Sequence, residues 1–125
     1  MVFTLSQVAL GGALGAVLRY LTSLGAMRLI GAGFPWGTVI VNIAGSFAMG
    51  VIVVVLAHMS GTRFAPLLMT GLLGGFTTFS AFSLDAVTLY ERGDVTLAAG
   101  YVLSSVVLSI AALFAGLLLA RSFAA

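Results

Sequence analysis

Four apolar runs, about Phe3 to Leu24, Trp36 to Ala57, Ala65 to Tyr90 and Val95 to Ala120, occupy most of this chain and leave only short connections that carry most of its charge. Each is long enough to cross a bilayer as a helix, because a hydrocarbon layer of about 30 Å needs roughly 20 residues at 1.5 Å each. A backbone surrounded by hydrocarbon must satisfy its own polar groups, so helix is the economical spanning form. The expected fold is an all-α membrane protein, one domain over residues 1–125 with four transmembrane helices. Composition agrees: 62% of side chains are hydrophobic and 6% are charged, with a mean hydropathy of +1.26, whereas about a quarter of a soluble domain is charged.

The same scarcity of reactive groups excludes function classes. Cysteine is absent and His58 is the single histidine, which removes disulfides, thiolate metal sites and histidine clusters. No nucleophile has a positioned base, so an enzyme is not expected. Five arginines and no lysine stand against three acids, and the excess of two positive charges is scattered rather than clustered, which gives nucleic acid no basic patch to bind. The first run lacks the charged start and cleavage site of a signal peptide and is expected to persist as a span. The connections are Gly25 to Pro35, His58 to Phe64 with Gly61 and Arg63, and the turn Glu91-Arg92-Gly93-Asp94. Tyr20, Trp36 and Tyr90 fall at span ends, where amphipathic rings favour the headgroup layer. Arg19, Arg28 and Arg92 on one side against Arg63 and Arg121 on the other give a weak orientation bias. An antiparallel, dual-topology homodimer is therefore expected; a single orientation set by Arg19 and Arg28 is the alternative.

The third run holds the densest information, Gly71-Leu72-Leu73-Gly74-Gly75-Phe76-Thr77-Thr78-Phe79-Ser80-Ala81-Phe82. Adjacent glycines weaken a helix interior, and a break in the third helix is expected there. Freed carbonyls at membrane depth need protein, water or a small cation; alternatively the glycines only let helices approach closely. Phe76, Phe79 and Phe82 recur every third residue, with Thr77, Thr78 and Ser80 between them. Phenyl edges are electropositive and can attract an anion without a fixed charge. An aromatic packing stripe is the plainer reading.

Polar stripes flank this segment. Thr38, Asn42 and Ser46 share one face of the second run, and Tyr101, Ser105 and Ser109 share one face of the fourth. Tyr101 lies about 9 Å inside its run at 1.5 Å per residue, too deep for an interfacial ring. Neutral donors of this kind can hold an anion without trapping it, and they can equally bind helices together. Proton coupling has no carrier at the midplane. Arg19 either snorkels or faces a vestibule, Asp85 either stands at a pore mouth or is a hydrogen-bonded helix-end carboxylate, and Gly11 and Gly15 form a G-x-x-x-G packing face.

These residues resemble the Fluc/CrcB family of fluoride channels over essentially the whole chain. The likeness rests on Gly12-Ala13-Leu14-Gly15-Ala16-Val17-Leu18-Arg19-Tyr20 in the first span, Gly37-Thr38-Val39-Ile40-Val41-Asn42 with Gly45-Ser46-Phe47 in the second, and Gly74-Gly75-Phe76-Thr77-Thr78-Phe79-Ser80 in the third. It implies an antiparallel dual-topology homodimer in the cell (inner) membrane that exports fluoride passively and protects microbes from it. It also implies a central structural sodium ion on the Gly74 and Thr77 carbonyls. Phe79 and Phe82 would turn ring edges to fluoride, Asn42 would donate to it, Ser80 would add a neighbouring hydroxyl, and Tyr101, Ser105 and Ser109 would form a polar track, with Arg19 and Asp85 at a vestibule. Ala81 stands where the family commonly has Thr or Ser, and Asp85 where it commonly has Glu. Two other readings compete: a small multidrug-type transporter, whose exchange resembles a mechanism needing a carboxylate absent from this first span, and a noncatalytic scaffold subunit that only packs.

Overall fold

A computed structural model describes residues 1–59 and 63–124, and Gly61 of the second connection lies outside them. Among the described residues the architecture is entirely helical: α1 (Val2–Leu29), α2 (Trp36–His58), a π-helical stretch (Pro66–Leu73), a short α3 (Gly74–Phe76), α4 (Ser80–Glu91) and α5 (Val95–Ala124). Four stretches are long and apolar enough to cross a membrane, the third running from Pro66 to Glu91.

The helices stop where backbone chemistry requires it. The first runs past Leu24 to Leu29, because Gly25 tolerates helical angles and the chain turns only at Gly31. There φ is +114°, a conformation that glycine adopts without a Cβ clash, and the Gly31 N–H returns to the Ala26 carbonyl. Gly93, with φ +89°, makes the corresponding turn after α4, where Arg92 both pairs with Asp94 at 3.2 Å and donates to the Gly33 carbonyl at 3.1 Å. Proline opens the π-helical stretch at a position whose N–H would be unpaired in any case.

Small residues decide which helices touch. A Cβ at Gly15 would fall on the Leu72 carbonyl and 2.8 Å from the Phe76 nitrogen, and one at Gly75 would lie 2.7 Å from the Gly12 carbonyl. The α1 backbone therefore lies directly on the π-helical stretch and α3, as small residues allow in membranes. Gly50 of α2 and Gly116 of α5 meet the opposite helix in the same way. Between α2, α4 and α5, Val39, Phe82, Leu89, Ala98 and Tyr101 form the buried apolar cluster. Many large apolar side chains, Leu14, Val107 and Leu118 among them, face outward, as a surface solvated by lipid permits.

Candidate functional site: a groove beside the third span

Helical hydrogen bonding lapses after Phe76 and resumes at Ser80. Thr77 is extended, at φ −86° and ψ 160°, and both its N–H (2.9 Å) and its Oγ1 (2.8 Å) donate to the Leu73 carbonyl. The next residue is held from α2. Asn42 Nδ2 donates to the Thr78 carbonyl at 3.0 Å while its Oδ1 accepts from the Thr78 N–H at 2.8 Å. One amide side chain thus saturates one peptide, much as a neighbouring strand would. Thr78 Oγ1 in turn accepts from the Ala81 N–H at 3.1 Å, giving a partner to one of the free donors at the start of α4.

These side-chain bonds free specific carbonyls. In a continuous helix the Gly74 carbonyl would take the Thr78 N–H and the Thr77 carbonyl the Ala81 N–H. Those two donors point instead to Asn42 Oδ1 and Thr78 Oγ1. Among the described residues neither carbonyl accepts another hydrogen bond. The Gly75 carbonyl between them does, from Arg19 Nε at 3.1 Å. Arg19 therefore anchors its Nε on the interruption.

The non-helical residues form one wall of an open groove of about 480 Å³ between α2 and α5. Asn42, Gly74, Thr77, Phe79, Ser105 and Ser109 line it, together with Phe82. Gly45 makes room for this wall, since a Cβ there would strike Thr77 Cγ2. Phe79 is 77% exposed and Phe82 only 8%, with ring centroids 5.6 Å apart and planes inclined by 47°. Ser105 is buried to 4% exposure, and its Oγ has no hydrogen-bond partner among the described residues. An orphan hydroxyl in such a cleft is a donor available to a ligand.

Other residues singled out in the sequence lie off this groove. Tyr101 is fully buried behind Phe82, with ring centroids 5.2 Å apart, and its hydroxyl donates to Asp85 Oδ2 at 3.2 Å. Thr38 Oγ1 donates to the same oxygen at 2.7 Å. Asp85 accordingly has the bonded surroundings of a structural carboxylate, and it borders a second cavity of about 300 Å³ with Phe34, Trp36 and Arg92. Arg19 does not line that cavity. Ser80 is exposed, its hydroxyl 3.4 Å from that of Thr78.

The sequence reading passed over the central place of Thr78, which appeared only as one hydroxyl among three. Its neighbour relation to Asn42 spans 36 residues and leaves no local pattern. Ser46, on the polar stripe of the second run, borders the groove, and so does Met49, whose i+7 spacing from Asn42 is the available signal for it.

Fold and groove together define a multi-pass helical membrane protein with a largely apolar cleft that a few hydroxyl and amide groups line. The sequence model described as CrcB-like protein, Camphor Resistance (CrcB), matches residues 6–117, and the chain belongs to that family. A Cereibacter sphaeroides protein is 67% identical over 125 residues, covering all of both chains. Relatives from Paracoccus denitrificans (59% over 121 residues, 97% of each chain) and Agrobacterium fabrum (54% over 120 residues, 94% of this chain and 96% of the relative) are similar throughout. All three relatives carry the name Fluoride-specific ion channel FluC.

Proposed function

We propose that this chain forms a passive, fluoride-selective channel of the bacterial inner membrane, through which the ion leaves the cell, conferring resistance. The observation that carries the reading is the groove itself, where uncharged donors from two helices meet two phenyl rings beside a lapse in the third span. A small anion entering a membrane must exchange its water shell for donors, and donors too strongly charged would hold it. Asn42 has one amide proton left after binding Thr78, and the Ser105 and Ser109 hydroxyls stand along α5. Ring edges of Phe79 and Phe82 add a positive rim without a counterion. Full-length likeness to relatives named as fluoride channels supports the choice of ion.

The lapse over residues 77–79 is read as a functional break in the third helix. The released carbonyls of Gly74 and Thr77 suit a hard cation, and sodium is proposed there as a structural ion. Bound sodium would supply fixed positive charge to carbonyl oxygens that have lost their helical donors. One chain offers two such oxygens, which is few for a cation. A second, antiparallel copy presenting the same two would complete the set, and Gly74 is exposed as that requires. The near-even arginine distribution supports insertion in both orientations.

The test is direct. Purified protein in liposomes loaded with potassium fluoride should release fluoride to an external electrode when a potassium ionophore removes the opposing voltage, whereas chloride-loaded vesicles should stay tight. Retention of fluoride by protein-containing vesicles would sink the reading and leave a scaffold.

A further inference from the structure

The groove uses none of the charge at the ends of the bundle, and that charge is unevenly divided. All three acidic residues lie between Asp85 and Asp94. Arg92 at that end is spent on Asp94 and the Gly33 carbonyl. The opposite end gathers the start of α1, the end of α2 and the end of α5, where His58 lies beside Leu119, Ala120 and Phe123. Arg63 and Arg121 belong to it, with no acidic side chain to answer them. Among the described residues the single ion pair is Arg92–Asp94.

Arg63 is exposed but not left to wander. Its guanidinium carbon lies 5.9 Å from the centroid of the Phe3 ring and 5.6 Å from that of Phe64, within the range of cation–π attraction. Phe3 and Phe64 are themselves about half exposed, at 55% and 47%, and they stand at the border between apolar span and connection. Two rings thus brace a cation at this end of the bundle, and among the described residues no carboxylate pairs with it. A planar guanidinium with free N–H groups matches a phosphate oxygen pair.

We propose that this end of the bundle binds an anionic phospholipid, with Arg63 on the headgroup phosphate and Phe3 and Phe64 fixing the guanidinium at the membrane border. The site is independent of the ion pathway. If the chain inserts in both orientations, each leaflet is met by one such end.

The experiment compares lipid retained by the purified full chain in native mass spectrometry, using phosphatidylglycerol and phosphatidylcholine with identical acyl chains. Arg63→Gln should weaken phosphatidylglycerol binding roughly fivefold, the effect of one arginine near an anionic surface, and should weaken binding of phosphatidylcholine, whose own choline cation offsets the phosphate charge, by a clearly smaller factor. Arg28→Gln, at the other end, should change neither. Phe64→Leu keeps the charge but removes a brace, and should lower phosphatidylglycerol binding by a smaller factor. Undiminished phosphatidylglycerol binding by Arg63→Gln overturns the proposal, as does an equal loss in Arg28→Gln or an equally large loss of phosphatidylcholine. Each variant's melting profile in detergent is recorded alongside, so that a misfolded sample is replaced by Arg63→Lys, for which weakened but persistent preference for phosphatidylglycerol is expected.

Discussion

On the side of the third span that meets α1, Gly71 and Gly75 lie on Gly11 and Gly12 with no side chain between the backbones. On the side that meets α2 and α5, the same few residues leave Gly74 exposed and Thr77 and Phe79 bordering a groove of about 480 Å³. Both sides are rich in glycine, yet one closes and the other stays open. The difference lies in what stands opposite. Against α1 the facing residues are also glycines, so dispersion between backbones draws the helices together. Against α2, Gly45 admits the Thr77 side chain while Asn42 binds the Thr78 peptide at hydrogen-bond distance, so side chains rather than bare backbones stand between the helices.

The largest effect should come from closing the difference by force. Gly15→Val places side-chain atoms where the Leu72 carbonyl and the Phe76 nitrogen now lie, an overpacking expected to destabilise by about 3 kcal/mol or more. Loss of the monodisperse peak in size-exclusion chromatography is the expected readout. Gly12→Ala is the control, because a Cβ there meets nothing within 4 Å. A normal peak from Gly15→Val would mean that this contact does not hold the third span.

Next in size is Asn42→Ala, which leaves the Thr78 N–H and carbonyl without their partners. Destabilisation of about 2 kcal/mol is expected, with fluoride efflux falling as the non-helical segment loosens. A stable protein with reduced efflux would instead assign Asn42 to the ion alone.

Phe79→Ile tests the open side without touching the core, since Phe79 is 77% exposed. Efflux should fall about tenfold, an increase of roughly 1.4 kcal/mol in the barrier, at an unchanged melting temperature. Undiminished efflux would remove the ring-edge mechanism.

Ser105→Ala separates packing from conduction more finely. Its Oγ lacks a protein partner, so a purely structural serine would lose nothing on truncation. Stability should hold while efflux drops about fivefold, the effect of one hydrogen bond of about 1 kcal/mol. Smallest of all is Asp85→Asn. The amide oxygen still accepts from Thr38 or Tyr101, so efflux within about twofold of the parent is expected. A large loss would return Asp85 to the ion path.

Much of the fold was legible because hydrocarbon imposes a one-dimensional rule. Run length and apolarity mark out the four long helices approximately, with α2 and α5 starting where the second and fourth runs start, and glycine spacing on α1 points to a packing face. The end of α1 was read too early, since Gly25 looks like a stop in sequence and only its backbone angles decide. At the site, periodicity put Asn42, Ser105 and Ser109 on helix faces that the groove does gather. Tyr101 shares the same four-residue spacing and was grouped with them. It sits behind Phe82 instead, because a large ring with a hydroxyl found an apolar layer and an acceptor in Asp85 together. Spacing along one helix cannot report what the neighbouring helix offers.

By itself the sequence determined a helical chain in a bilayer, with four spans, few charges and a glycine-weakened third run, because each follows from solvation and local backbone freedom. Tertiary structure alone decided which carbonyls went without donors. Asn42 and Thr78 take the N–H groups of residues 78 and 81, and Arg19 takes the carbonyl of Gly75, so the exposed pair is left at Gly74 and Thr77. The Ala81 bond is local, but the bonds from Asn42 and Arg19 join atoms tens of residues apart within about 3 Å, which no spacing rule encodes.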